Sequence, residues 1–319
     1  MKNIAVLTSG GDAPGMNAAI RAVVRKGNKE GYNVYGISYG YLGLIRGDIR
    51  KLEVRDVGDI IHRGGTMLYS ARCDEFKDPN IQKIAVDILK EYDIDTLIII
   101  GGDGSFRGAL ALEAYGIKTI GIPATIDNDI PHTEYSIGFD TSLNTILDAV
   151  DKIRDTATSH ERTFVIEVMG RKSGQLALYS GLASGAECAL VPENDGDMTT
   201  VIEKVRESIA QGKKHSIVIV AEGVMPAEKC SKLISEALNI EIRNSVLGHI
   251  QRGGKPTAKD RIFASTLGAY AINLVSKGKH HIALVVNEGK VQEKDYEDVL
   301  LGKKTLDTSV LRMIDELSI

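Results

Sequence analysis

Cysteine is scarce: Cys73, Cys188 and Cys230 are the chain's three, odd in number and scattered, with no Cys-x-x-Cys pair. A disulfide framework is therefore not expected, and plain thiols in a reducing compartment are. An excess of one charge sign is missing too, since 39 Lys and Arg stand against 43 Asp and Glu for a formal net charge of -4. That balance gives no electrostatic case for nucleic acid or for an acidic membrane surface as partner. No apolar run approaches the roughly 18 residues of a membrane span, and Ile4 leads straight into a polar, glycine-rich turn. Neither a span nor a signal peptide is expected, and the chain reads as cytoplasmic. Repeats, low-complexity segments and a Walker A motif are absent. Gly102-Asp-Gly104 fails the dinucleotide fingerprint because Arg107, not glycine, fills the sixth position.

What is present is ample apolar material, 43% of 319 residues, enough for a sizeable core and most simply for two lobes. The stretch from Ile98 to Asp129 organises the rest. The apolar run Thr96 to Ile100 reads as a buried parallel strand ending in GGDGS, and a second strand, Thr119 to Ile122, ends in PATIDNDI. Ligands of open α/β sheets bind at such strand ends. Gly101, Gly102 and Gly104 let backbone amides approach a phosphate, and Ser105 is placed to cap the following helix. Asp103 would repel a phosphate unless a divalent cation stands between them, which points to Mg²⁺ bound with a nucleotide. Either motif alone could be an ordinary Gly and Asp turn; the pair, with Thr125, Asp127, Asn128 and Asp129 at the second end, is what argues for a site.

Elsewhere the pattern of strand, glycine turn and helix repeats. Ile4 to Leu7 is a strand entering TSGGDAPGMN, where Gly10 and Gly11 could approach phosphate and Asn17 could cap a helix to about Glu30. Arg21 and Arg25 share a face of that helix, which alone would be a solvated basic face. Val34 to Ser38 is a strand, YGYLGLIRGD reads as loop, and IHRGGTMLYSARC sets Arg63 and Arg72 around a glycine pair, a combination suited to phosphate. An amphipathic helix from Asp140 to about Ser159 follows. The strand Phe164 to Val168 then ends in MGRKSG with Arg171, and further strands lie near Ala189, Ser216 to Ala221, Val246 and Ile282 to Val286. Polar residues mark their ends: Glu222, His249 and Arg252, and Lys213, Lys214 and His215.

The ordered set TSGGDAPGMNAAIR, RGGT, YSARC, IGGDGS, TIDNDI, DKIRDTATSHERT, EVMGR, KKHS, AEG and VLGHIQRGG resembles that of the bacterial 6-phosphofructokinases, from LTSGGDAPGMN to the final ELSI. The resemblance implies an α/β fold of two doubly wound lobes: about 1–138 with 251–301 for nucleotide, and about 139–250 with 302–319 for sugar phosphate. It implies a homotetramer that transfers the ATP γ-phosphoryl to the 1-hydroxyl of fructose 6-phosphate, a committed step of glycolysis. Asp127 matches the family's general base, and Thr125 and Arg171 the groups that steady the phosphoryl. Gly11, Arg72, Cys73, Gly102, Asp103, Gly104 and Ser105 match the ATP site, with Asp103 linked to Mg²⁺ and Asp129 a further metal candidate. Met169, Gly170, Glu222, His249 and Arg252 match the sugar-phosphate site, and Arg162 and Arg243 match residues reaching it from a neighbouring subunit.

Arg21, Arg25, Arg154, Gly185, Glu187, Lys213 and His215 match an effector site, used in the family by ADP as activator and phosphoenolpyruvate as inhibitor. Two positions depart from the pattern. Ala124 stands where glycine is usual, and Gln211 where Arg or Lys is usual. A pyrophosphate-dependent branch typically carries Asp at Gly104 and Lys at Ala124, and neither is present. A catalytically silent sensor on the same fold is the remaining alternative, against which Asp103, Asp127 and Arg171 together argue. Lipid and NAD kinases share a GGDG turn without the TIDND, MGR and HIQRGG set.

Overall fold

A computed structural model gives residues 2–194 and 197–318. In chain order the first elements are β1 (Asn3–Thr8), α1 (Met16–Lys29), β2 (Asn33–Ile37), α2 (Gly40–Arg46), β3 (Ile49–Leu52), α3 (Pro79–Glu91), β4 (Ile94–Gly101), α4 (Asp103–Glu113) and β5 (Lys118–Pro123). Then come α5 (Phe139–His160), β6 (Thr163–Val168), α6 (Gln175–Ser184), β7 (Cys188–Leu190), α7 (Met198–Ala210), β8 (Ile217–Ala221), α8 (Ala227–Leu238) and β9 (Ile242–Val246). The last are α9 (Ala258–Ser276), β10 (Ile282–Asn287), β11 (Lys290–Lys294), α10 (Tyr296–Leu301) and α11 (Thr308–Leu317). The chain forms two compact units. One holds the residues up to Thr125 with Ile130–Thr141 and Arg252–Lys304; the other holds Ile126–Asp129, Ser142–Gln251 and the residues from Thr305. Four residues of the TIDND turn, Ile126–Asp129, thus belong to the second unit within sequence otherwise belonging to the first.

The first unit is a seven-stranded sheet in the order β11-β10-β5-β4-β1-β2-β3. Its five inner strands run parallel, while β3 and β11 close the edges antiparallel. In β4 seven of eight residues are buried, which is what a parallel strand covered by helices on both faces requires of its sequence. Phe106 of α4, Leu89 of α3 and Tyr296 of α10 pack with Leu97 and Ile99 into one core. The chain steps from β1 to β2 on one side and to β4 on the other, so the strand order reverses between β1 and β4. Open α/β sheets bind ligands at the carboxyl ends of such a pair. The second unit carries a parallel sheet, β7-β8-β6-β9, with β9 at an edge.

Three local expectations are corrected. The segment YGYLGLIRGD is not loop but contains α2. Asn17 does not cap α1, whose N-cap is Gly15; its side chain instead binds Arg63 O, Gly64 O and Met67 N, fixing the RGGT turn. Ser105 lies inside α4, behind the N-cap Gly102, and its hydroxyl donates to Ser9 O at 3.1 Å, tying that helix to the end of β1.

Candidate active site

In the first unit the glycine turns after β1 and β4 lie side by side: Ser9 N donates to Ile100 O at 3.0 Å, and a side chain on Gly101 would strike Ser9 O. Gly10 needs its freedom for a backbone φ of 86°. Gly104 has neither reason. Its φ is ordinary and an added Cβ would meet nothing within 4 Å. A glycine in the first turn of a helix costs helix stability, and here it leaves open space at the N-terminus of α4. The N-terminus of α4 supplies unpaired amides and a positive dipole end there.

Asp103 stands in that first turn with its side chain 49% exposed, paired with Arg107 through two hydrogen bonds of 3.1 and 3.2 Å. No cluster of three or more metal-ligating side chains occurs among the described residues. A single accessible carboxylate beside a phosphate cradle is the donor set that fits Mg²⁺ carried in on a nucleotide, which keeps its waters and phosphate ligands. It does not fit a resident ion. Arg72 is exposed and Cys73 half-buried at the start of the following turn. Burial pushes the Cys73 thiol up, against a lowering contact from the Phe76 amide, so it packs as a neutral thiol.

β5 lies beside β4 with Pro123 opposite Gly101, and Ala124 N donates to Gly101 O at 2.9 Å. Ala124 is not among the positive-φ residues, so the methyl that replaces the usual glycine is accommodated without strain. Thr125 follows, its carbonyl accepting from the Ser136 hydroxyl at 2.7 Å. Arg252 was expected among sugar-phosphate ligands. Its guanidinium lies against Gly11, where a Cβ would strike it, and donates to Asp12 O at 3.2 Å.

In the second unit the candidate groups collect at the carboxyl ends of β6, β8 and β9. Asp127 is buried, and Arg171 Nε stands 3.6 Å from its Oδ2. Arg171 has a left-handed backbone, φ 52°, uncommon for a long side chain. Glu222 holds it there, accepting from Arg171 N at 2.8 Å. Gly223 permits the approach, since a Cβ at that position would collide with the Arg171 carbonyl. Such crowding by backbone costs about 1–3 kcal/mol and is relieved only by moving Arg171. Gly223→Ala is therefore expected to lower the urea midpoint by a corresponding amount and turnover at least tenfold; wild-type stability and rate would refute that packing.

Met169 and Gly170 lead into this turn, Gly170 with φ 132°. The Gln251 side chain, wholly buried, accepts from Met169 N at 3.1 Å and donates to Gly248 O at 3.0 Å, so it joins the MGR turn to the one bearing the exposed His249. Arg162 and Arg243 lie at the opposite, amino ends of β6 and β9, where both pair with Glu241, Arg162 at 3.7 Å and Arg243 at 2.5 Å.

A separate cluster in the second unit contains Arg154, bonded to Ser184 O and Gly185 O at 2.5 and 3.3 Å, and Lys213, 2.6 Å from the buried carboxylate of Glu187. Gln211 ends α7 on the surface and His215 is half-buried. In the first unit Arg21 and Arg25 are neighbours on α1; partial burial and then the Arg25 charge hold the Arg21 guanidinium below its usual range.

Sequence reasoning missed several supports. Tyr41, read as loop, is buried with its hydroxyl donating to Ser105 O at 2.6 Å and its ring against Gly108. Asp260, also missed, accepts from Gly138 N, Thr141 N and the Thr141 hydroxyl at 2.9, 2.8 and 2.5 Å, anchoring the start of α5. Burial raises its carboxyl above the usual range even against those three bonds. A charged residue three places after Thr257 was the one available signal, and it reads only as a helix start.

A phosphofructokinase family model matches residues 3–275. The ATP-dependent 6-phosphofructokinase of Halalkalibacterium halodurans is 56% identical over 319 residues, the whole of both chains. Among solved structures, phosphofructokinase from Saccharomyces cerevisiae superposes with a TM-score of 0.89 at 32% identity, over 100% of this chain and 48% of that one. The pyrophosphate-dependent phosphofructokinase from Marinobacter aquaeolei gives 0.84 at 24% identity, over 97% of this chain and 86% of that one, a likeness of fold. With its switch-point glycine turns and its cluster of Asp127, Arg171 and Glu222, the chain belongs to the phosphofructokinase family.

Proposed function

We propose that this chain is an ATP-dependent 6-phosphofructokinase, moving the γ-phosphoryl of ATP to the 1-hydroxyl of fructose 6-phosphate. The observation that carries the reading is full-length similarity, at more than half of all positions, to a relative of that activity. The open space at Gly104 and the uncharged Ala124 favour ATP over pyrophosphate as donor. Gly11, Arg72, Cys73, Gly102, Asp103, Gly104 and Ser105 hold the nucleotide. Mg²⁺, held by Asp103 and the nucleotide's phosphates, would neutralise charge on the phosphate oxygens.

The chain's own residues do the rest. Asp127 accepts the proton of the 1-hydroxyl as its oxygen attacks phosphorus. Arg171 and Thr125 steady the charge that spreads over the transferring oxygens, and Glu222 fixes Arg171 by its backbone. Met169, Gly170, His249 and Arg252 hold the sugar phosphate. Arg162 and Arg243 bind its 6-phosphate from a neighbouring subunit, and strand geometry supports this. They stand at the starts of parallel strands whose ends carry Arg171 and His249, and strands of five and six residues span roughly 15–20 Å. Val246 at the end of edge strand β9 and Ile250 in the turn after it, 61% and 55% exposed, are apolar groups that a partner would cover. We read the assembly as a homotetramer working in the cytoplasm; no helix among the described residues is long and apolar enough to cross a membrane. With ATP and Mg²⁺, fructose 6-phosphate should yield ADP stoichiometrically while glucose 6-phosphate does not; ADP release independent of sugar would overturn the reading.

Regulation by ADP and phosphoenolpyruvate belongs to the same proposal, through Arg21, Arg25, Arg154, Gly185, Glu187, Lys213 and His215. Gln211 offers a neutral hydrogen bond where relatives carry a cation, and charge-assisted bonds are roughly twice as strong, a difference on the order of 1 kcal/mol. Gln211→Arg is expected to respond to phosphoenolpyruvate at about fivefold lower concentration, measured as inhibition at subsaturating fructose 6-phosphate. An unchanged response would remove Gln211 from the effector site.

A further inference from the structure

A cavity of about 420 Å³ lies in the first unit on one face of the β10–β11 hairpin. Gln292 and Lys294, alternate residues of β11 and so on one face, line one side. His132, Thr133 and Glu134 line another, and Lys304 completes the basic lining. None of these residues belongs to the nucleotide, sugar or effector sets.

The wall is built, not draped. The buried Thr133 hydroxyl accepts from Val286 N at 3.0 Å and donates to Tyr135 O at 2.8 Å. Glu134 N donates to Val286 O at 2.8 Å, and Glu134 Oε1 accepts from Glu288 N at 2.8 Å. Lys304 Nζ donates to Glu134 O at 3.2 Å, which fixes that ammonium at the cavity. On the hairpin, Lys279 neutralises Glu293, whereas Lys294 makes no ion pair among the described residues. Two ammonium groups thus share the cavity with one carboxylate, that of Glu134. A preorganised, cationic, hydrogen-bonding concavity recognises an anion.

Its size and lining narrow the class. The volume lies within the range of small-molecule pockets and well above what a lone phosphate ion fills. Carboxamides, a hydroxyl, an imidazole, a carboxylate and ammonium groups line it, and no aliphatic side chain such as Leu, Ile or Val, the kind that would favour a lipid chain, is among them. We propose that this cavity is a binding site for a small phosphate monoester of a polyol, with the phosphate between Lys294 and Lys304 and the hydroxyls on Asn287 and Gln292. This inference stands independently of the phosphoryl-transfer reading.

The probe is glycerol 3-phosphate, and the readout is reductive methylation of individual lysines in the full-length protein, followed by peptide mass spectrometry. Saturating probe is expected to slow modification of Lys294 at least fivefold while leaving Lys290, exposed at the tip of the same hairpin and outside the cavity, unaffected. Lys304→Met is expected to raise the half-protecting concentration at least fivefold, and inorganic phosphate and glycerol to protect far more weakly. Equal rates at Lys294 and Lys290 throughout would overturn the proposal in the wild-type protein alone. Protection unchanged in Lys304→Met, or matched by inorganic phosphate or by glycerol, would overturn it too.

Discussion

Asp127→Asn is expected to lower turnover by at least ~10², with much smaller changes in the half-saturating concentrations of ATP and fructose 6-phosphate. The substitution nearly preserves the shape of a buried side chain but removes its ability to accept a proton. Arg171 would keep its place, because what holds its backbone is Glu222 and the contact with Gly223. A purely structural Asp127 would instead show itself as lost stability with the rate per folded molecule retained. Steady-state kinetics with a urea titration of the same variant separate the two; a folded variant with near wild-type turnover would remove Asp127 from the base role.

The second large effect concerns Arg243. Arg243→Ser removes a charged hydrogen-bond donor from the 6-phosphate, an interaction of about 1.5–3 kcal/mol, so the KM for fructose 6-phosphate should rise roughly 10- to 150-fold. Arg243 lies at the start of β9 and Arg171 past the end of the parallel β6, so on the proposed reading the two would serve one substrate across subunits. Chains with Arg243→Ser mixed with chains carrying Asp127→Asn should then regain activity, because some sites in the hybrids receive both intact groups. Verified hybrid tetramers without recovery would place the residues in one subunit's own site.

How much of this was legible depended on how local each cause is. The continuous apolar run of β4 and the glycine turn after it announce a central parallel strand and its ligand end from eight adjacent residues. The helix α2 was hidden because GYLGLIR offers two glycines and no cap. It forms because Tyr41 stacks on Phe76 with ring centroids 4.2 Å apart, and because Gly43 lets the helix crowd the Ser38 carbonyl. Asn17 and Ser105 look like caps by position, yet their side chains are spent on backbone 46 to 50 and 96 residues away. Asp260 and Gln251 act at comparable distances, on Gly138 and Thr141 and on Met169. Residue types that carry chemistry at a strand end can be read from the chain; the polar side chains that hold those strand ends in place are visible only once distant turns have met.

The central claim is phosphoryl transfer from ATP to the sugar's 1-hydroxyl, and following the label tests it most directly. The purified protein is supplied with fructose 6-phosphate and Mg²⁺, and either γ-³²P-labelled ATP or ³²P-labelled pyrophosphate. The account predicts label on the C1 oxygen of fructose 1,6-bisphosphate from ATP, none from pyrophosphate, and none from either when EDTA removes the metal. Label transferred from pyrophosphate but not from ATP, or bisphosphate formed from neither, would contradict it.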